Sequence, residues 1–190
     1  MTRKGILFVI SGPSGVGKGT ICKRLLAKMP DVYLSISATT RPPRSGELHG
    51  RDYYFLSRAD FEHMINNNEF LEYAKVYNNY YGTPAAFVQD HLEKGNDVLL
   101  EIDIQGAMQI KKNFPEGVFI FIQPPSVDDL ESRLNLRGKD SPESIQKRLS
   151  TCKWEMDQYI HYDYVIVNDD LQEAVRLLEA IILAERCRVK

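Results

Sequence analysis

Long apolar runs are missing from this sequence: nothing in its 190 residues approaches the roughly 18 consecutive apolar side chains that a spanning helix needs. Cysteine is scarce. Cys22, Cys152 and Cys187 are odd in number, scattered, and show no C-x-x-C spacing. That argues against a disulfide framework or a zinc site and suits a reducing cytosol. An excess of one charge is missing as well. Lys and Arg number 24 against 26 Asp and Glu, a formal net charge of −2, so no global basic field draws the chain to nucleic acid or anionic membrane. Phosphate binding, if there is any, has to come from a local cluster. Internal repeats and low-complexity tracts are absent too. The opening Met1-Thr-Arg-Lys and Ile6-Leu-Phe-Val-Ile10 mimic a secretory leader, but the apolar run is short and ends in a glycine loop, so it reads as a strand. The expectation is a soluble, cytoplasmic protein without nucleic-acid or membrane partners.

What is present is an ordinary globular composition, 43% hydrophobic and 26% charged, at a length suited to one compact unit with room for a mobile flap. Short β-branched runs recur at Ile6–Ile10, Val98–Ile102, Val118–Ile122 and Tyr164–Val167. They lack clean alternation and are separated by helical patterns, as parallel strands buried on both faces should be. A helix is expected from Lys18 to Met29, stopped by Pro30. Another is expected to open at Ser141-Pro142-Glu143, with serine as cap and proline at the first helical position. In the last helix, opening near Asn168-Asp169-Asp170, residues Leu171, Ala174, Val175, Leu178, Ile181 and Ile182 form one apolar face. The fold class is therefore α/β, a parallel sheet with helices on both faces.

Two segments break this rhythm. Residues 34–84 are rich in Arg, Tyr, Thr and Gly, with short strand-like pieces and one helix near Asp60–Asn67. Residues 125–149 are charged and helix-rich. Both read as insertions on a core made of 1–33, 85–124 and 150–190, and inserted segments are where function tends to sit.

The first strand runs into Gly12-Pro13-Ser14-Gly15-Val16-Gly17-Lys18, a G-x-x-x-x-G-K loop, and then into a helix. Glycines let successive backbone N–H groups turn to one point, the helix adds its positive end, and Lys18 supplies a mobile charge for β- and γ-phosphates. The expected ligand is a nucleoside triphosphate carried with Mg²⁺. One departure stands out: Gly19 follows the lysine where Ser or Thr is usual, and Thr20 comes next. Either Thr20 substitutes at the metal, or the metal is held mainly by waters and nucleotide phosphates.

Such a loop serves GTPases, motor ATPases and kinases. Asp103-Ile-Gln-Gly106 matches the D-x-x-G of small GTPases, but the N-K-x-D guanine reader is missing. The segment from 35 onward is more telling. It reads Ser35-Ile-Ser37-Ala-Thr-Thr-Arg41-Pro-Pro-Arg44-Ser-Gly-Glu47 and His49-Gly-Arg-Asp-Tyr53-Tyr-Phe55, then Asn68-Glu-Phe70-Leu-Glu72-Tyr and Asn79-Tyr-Tyr81-Gly82-Thr83. With Glu101-Ile-Asp103-Ile-Gln-Gly106 and Val165-Ile-Val-Asn168-Asp-Asp170, the chain closely resembles guanylate kinase over nearly its whole length.

Arg41 and Arg44 lie three apart around prolines that limit backbone freedom, and two guanidinium forks can clasp one dianionic phosphate. The resemblance implies that Arg41, Arg44, Tyr53 and Tyr81 hold the GMP phosphate. It places Glu72 against guanine, whose adjacent N1–H and N2–H₂ a carboxylate can accept together, with Ser37 and Thr83 on the base. A matched bidentate pair is worth about 1–3 kcal/mol of discrimination. Glu101 and Asp103 alternate at the end of a buried strand and should project to opposite sides unless the strand ends early. An acid there commonly serves the metal, and the resemblance also allows one of them to approach the guanine amino group. Arg133 and Arg137 should share a helix face, and Asp129 can pair with Arg133. By resemblance, Arg133, Arg137 and Arg148 form a lid over the ATP phosphates, and Asn168 touches adenine.

The expected reaction is MgATP plus GMP giving ADP and GDP, by in-line attack of an already ionised phosphate oxygen, with dGMP a candidate second acceptor. Two rivals are a non-catalytic binding module of the same shape and a related kinase acting on AMP or a sugar phosphate. The first could dispense with the phosphate loop and the lid arginines, which this chain keeps. Against the second stand only Glu72, Ser37 and Thr83.

Overall fold

The computed structural model describes residues 4–76, 78–130, 150, 152 and 154–189. The chain divides into two compact units, one made of Met1–Leu7, Asp31–Leu100 and Gln105–Gly117, the other of Phe8–Pro30, Glu101–Ile104 and Val118–Lys190. The expected insertion 34–84 lies wholly in the first unit, while the expected core segments are shared between the two. Most of the expected lid, residues 131–149, lies outside the described residues, as does the helix expected at Ser141-Pro142-Glu143.

In the second unit, strand β1 (Leu7–Ser11) pairs in parallel with β8 (Val118–Gln123), which pairs in parallel with β9 (Tyr164–Val167). Phe8, Val9 and Ile10 are fully buried, as are Phe119 through Ile122, which explains why these runs do not alternate. Helix α1 (Lys18–Lys28) follows β1 and buries Ile21, Cys22 and Leu25. The last helix, labelled α5 below (Leu171–Arg186), begins where the Asp170 side chain accepts the Glu173 N–H at 2.8 Å. It buries Ala174, Val175, Leu178 and Ile182 of the expected face; Leu171 and Ile181 flank that face and are half-buried.

In the first unit, β2 (Val32–Leu34) pairs in parallel with β7 (Asp97–Glu101). Three residues are too short to show a period, so β2 was not legible in the sequence. Buried Asp97 takes the Ile6 N–H on its carboxylate at 2.9 Å, and Val98 N–H donates to Ile6 O at 3.0 Å. The segment from 34 to 84 builds its own four-stranded sheet, in the order β4 (Tyr54–Phe55), β3 (Ala38–Thr39), β6 (Asn79–Pro84), β5 (Phe70–Val76). Helix α2 (Arg58–Asn66) starts on Ser57, whose hydroxyl accepts the Asp60 N–H. It is pinned by Phe61, fully buried and stacked on Phe70 and Tyr80 at centroid distances of 4.4 and 5.4 Å. Helices α3 (Ala85–Glu93) and α4 (Ile104–Asn113) follow β6 and β7.

Among the described residues no helix is long and apolar enough to cross a membrane. Cys22 and Cys152 are buried and Cys187 is exposed; all three are free thiols.

Candidate functional site

The glycine loop sits between β1 and α1. Gly12 has φ 145°, and a Cβ there would stand 2.2 Å from the Ile122 carbonyl oxygen, so no larger residue lets the strand turn at this point. Gly15 and Gly17 are also left-handed, at φ 93° and 101°, which turns successive N–H groups inward ahead of α1. Lys18 folds back over this loop, its Nζ donating to Gly12 O at 2.6 Å and Pro13 O at 3.1 Å. Burial pushes the Lys18 pKa below its ordinary value, and the charges of Glu101, Glu155 and Asp103 pull it part of the way back. Pro13 and Val16 are buried within the loop, while Ser14, Gly19 and Thr20 are exposed at its rim.

Glu101 and Asp103 both act on Lys18 because β7 ends at Glu101, so strict alternation stops before Asp103. A Cβ on Gly19 would stand 3.2 and 3.3 Å from the two Glu101 oxygens. The carboxylate therefore occupies the neighbourhood where the usual loop serine or threonine would carry its side chain. Hard oxygen donors of this kind suit Mg²⁺. Among the described residues no group of three His, Cys, Asp or Glu converges as a metal cage. Nearby, the hydroxyls of Ser11 and Tyr162 interact without reaching hydrogen-bond geometry. Burial, offset in part by Ser11 and reinforced by the Asp103 charge, pushes the Tyr162 phenol up to about 12.

Asn168 is only 6% exposed and donates its side-chain amide to Val16 O at 2.7 Å. The helix cap falls to Asp170, two residues on. Asn168 thus braces the backbone of the phosphate loop, a role the sequence did not indicate.

In the first unit the residues expected to bind the acceptor lie on or beside the four-stranded sheet. Glu72 of β5 is opposite Thr83 of β6, just past a bulge between Phe70 and Glu72. Thr83 is fully buried, Glu72 is 5% exposed, and the threonine hydroxyl donates to Glu72 Oε1 at 2.7 Å. Ala38 pairs with Gly82, so Ser37 occupies the register position beside Thr83. Ser37, just ahead of β3, thereby falls in one row of the register with Thr83 of β6 and Glu72 of β5.

The group expected to clasp a phosphate is anchored by the T-T-R run. Thr39 Oγ1 donates to Tyr80 O at 2.9 Å and accepts the Arg41 N–H at 3.2 Å, while Thr40 Oγ1 accepts the Tyr80 N–H at 2.9 Å. These hydroxyls tie the arginine turn to β6. The Arg41 guanidinium lies 5.5 Å from the Tyr53 ring centroid and 5.7 Å from that of Phe55, and Tyr53 meets Tyr81 edge-on at 6.1 Å. Its two terminal nitrogens hold the Glu47 carboxylate at 2.9 and 3.0 Å. Burial works against the Arg41 charge, but Glu47 outweighs it, with help from Tyr81, and the pKa is raised further. Arg44 is exposed and gives its backbone N–H to Glu47 Oε2 at 2.7 Å.

A family model described as guanylate kinase matches residues 4–185. The chain belongs to the guanylate kinase family. It is 57% identical to a guanylate kinase of Syntrophomonas wolfei over 190 residues, covering 100% of this chain and 97% of that protein. It is 56% identical to one of Caldanaerobacter subterraneus, covering 98% and 91% respectively. A crystal structure of guanylate kinase from Anaplasma phagocytophilum superposes with a TM-score of 0.83 at 35% identity, covering all of this chain and 90% of that one. The mixed α/β fold with a parallel sheet is thus the fold of this family.

Of the residues singled out in the sequence, the structure brings together Lys18 with Glu101 and Asp103, Arg41 with Tyr53 and Tyr81, and Glu72 with Thr83. Arg133, Arg137 and Arg148 lie outside the described residues. Asp129, expected opposite Arg133, gives its N–H to the Ser126 hydroxyl at 3.0 Å. Sequence reasoning missed Glu47, Thr39, Thr40 and the bracing role of Asn168. The spacing of Glu47 from Arg41, a turn of prolines and glycine between opposite charges, was the only local signal among them.

Proposed function

We propose that this chain transfers the γ-phosphoryl group of MgATP to GMP, giving ADP and GDP. The observation that carries the reading is the buried Glu72 carboxylate, oriented by Thr83 and aligned with Ser37. A carboxylate in this setting matches the paired N1–H and N2–H₂ of guanine, and adenine offers no such pair. A competing base would leave the acid buried without its match, which raises the penalty beyond the lost hydrogen bonds.

In this reading Arg41, Arg44, Tyr53 and Tyr81 hold the GMP phosphate. Residues Gly12 to Thr20 cradle the ATP phosphates, braced by Asn168. The acceptor oxygen is already ionised, so no general base is needed. The obstacle is repulsion: two unit charges about 6 Å apart cost roughly 3 kcal/mol at an effective dielectric near 20. Lys18 and the arginines, with Arg133, Arg137 and Arg148 as the expected lid, offset it and then stabilise charge on the transferring group. Glu101, Asp103 and Thr20 are the residues that would hold Mg²⁺, which when bound with ATP would supply positive charge to offset that of the phosphates. A cytoplasmic location accompanies the reading, and the free thiols support it.

The test is ADP release from MgATP with GMP, dGMP, AMP, CMP, UMP or no acceptor. Rapid release with GMP and little without acceptor is the expected result. A preference for another monophosphate would keep the chemistry and discard the role of Glu72. GMP binding without turnover would make the chain a binding module.

A further inference from the structure

Gly106 is the third residue of α4, inside a helix, where glycine is a poorer choice than alanine. Its backbone does not call for glycine, since it is not among the residues with positive φ. The constraint comes from another part of the chain. A Cβ at this position would stand 2.5 Å from Glu72 Oε2, 2.9 Å from Glu72 Cδ and 3.5 Å from Glu72 Cγ, its three nearest neighbours. The other Glu72 oxygen takes the Thr83 hydroxyl at 2.7 Å. The carboxylate is therefore set between a hydroxyl on β6 and a helix surface left bare.

We propose that Gly106 is a positioning residue for base recognition: the side chain it lacks fixes where the Glu72 carboxylate meets the guanine edge. This rests on the reading of Glu72 given above. The physics separates stability from specificity. A methyl group at 106 meets the far end of a side chain, which can move, and does not meet backbone among its nearest atoms. The helix gains a better helix former, while the carboxylate is displaced by on the order of 1 Å, enough to spoil a two-point match. The D-x-x-G match at Asp103-Ile-Gln-Gly106, which in GTPases would mark a switch, here marks the backing of a base reader.

The test is Gly106→Ala, assayed by ADP release over a range of GMP, AMP and ATP concentrations, with thermal unfolding alongside. KM for GMP should rise about 10- to 100-fold and the preference for GMP over AMP should shrink. KM for ATP should stay within about twofold, and the melting temperature should equal or exceed that of the parent. In a Glu72→Gln background, the same Gly106→Ala change should alter KM for GMP by no more than about twofold. An unchanged KM for GMP in folded Gly106→Ala, or an equal loss in both backgrounds, would overturn the inference. Should Gly106→Ala fail to fold, Gly106→Ala combined with Glu72→Asp decides. The acid is then one methylene shorter: recovered folding supports the contact, and continued unfolding overturns it. If Glu72→Gln itself leaves GMP selectivity as in the parent, the base-reader reading fails and the inference falls with it. If Glu72→Gln loses selectivity and folded Gly106→Ala does not, only the inference about Gly106 fails.

Discussion

Arg41 and Glu47 form a two-point ion pair, Nη1 to Oε2 at 2.9 Å and Nη2 to Oε1 at 3.0 Å, and the same carboxylate takes the Arg44 N–H at 2.7 Å. One acid thus organises both arginines proposed to clasp the GMP phosphate. The Arg41 hydrogen bond, working against burial and aided by the Arg44 N–H, holds the Glu47 carboxyl below the usual range. Glu47→Ala frees the turn, and the ordering of two long side chains must then be met on binding. KM for GMP should rise about tenfold, with a smaller rise for Glu47→Gln, which keeps an acceptor. Arg41→Ala should lose most turnover while remaining folded by circular dichroism. A lower KM for GMP in Glu47→Ala would mean that the carboxylate competes with substrate.

Asn168 should couple stability to ATP affinity. Asn168→Ala removes the donor to the buried Val16 carbonyl and should lower unfolding free energy by about 1–3 kcal/mol in urea titrations. KM for ATP should rise with little change for GMP. Asn168→Asp, which turns a carboxylate toward that carbonyl, should be worse on both counts. Unchanged ATP affinity would show that the loop holds its shape without this brace.

Gly19 tests the part played by Glu101. A Cβ there comes within 3.2 Å of the carboxylate, which must yield by a few tenths of an ångström. Gly19→Ala should leave thermal stability equal or better, since alanine is favoured in a helix. The Mg²⁺ concentration giving half-maximal turnover should nevertheless rise severalfold. An unaltered Mg²⁺ profile would remove Glu101 from the metal's surroundings.

Tyr162 predicts an alkaline weakness. Its phenol is raised from 10.0 to about 12 in the folded chain. Between those values the unfolded chain has lost this proton and the folded one retains it, so the unfolded state binds fewer protons and stability falls as pH rises. The loss attributable to this residue is about 2–3 kcal/mol across the window. Tyr162→Phe should flatten that part of the decline, read from urea midpoints at about pH 9 and about pH 11. Tyr164, whose phenol is also raised by its hydrogen bond to Glu185, keeps a remaining slope. An identical decline in Tyr162→Phe would place the effect elsewhere.

The parts of this protein that were legible in the sequence are those decided by near neighbours. The expected strand Val118–Ile122 became Val118–Gln123, and the expected helix Lys18–Met29 became Lys18–Lys28, because burial periodicity and caps act within a few residues. The phosphate loop was legible for the same reason, since its glycines, lysine and following helix are consecutive. Glu101, the last residue of β7, and Asp103, just past it, were not separable, because their directions depend on where the strand stops. Strand β2 was too short to carry a pattern.

The sequence by itself determined the α/β alternation, the glycine loop with its following helix and membership of the family, all through local conformational preference and contiguous motifs. Only the tertiary structure decided which distant side chains meet. Asn168 braces Val16 from 152 residues away, Thr83 orients Glu72 across a strand pair, and the bare surface of Gly106 abuts that same carboxylate. Such meetings depend on strand register and on the packing of elements far apart in the chain, and no pattern of neighbouring residues encodes them.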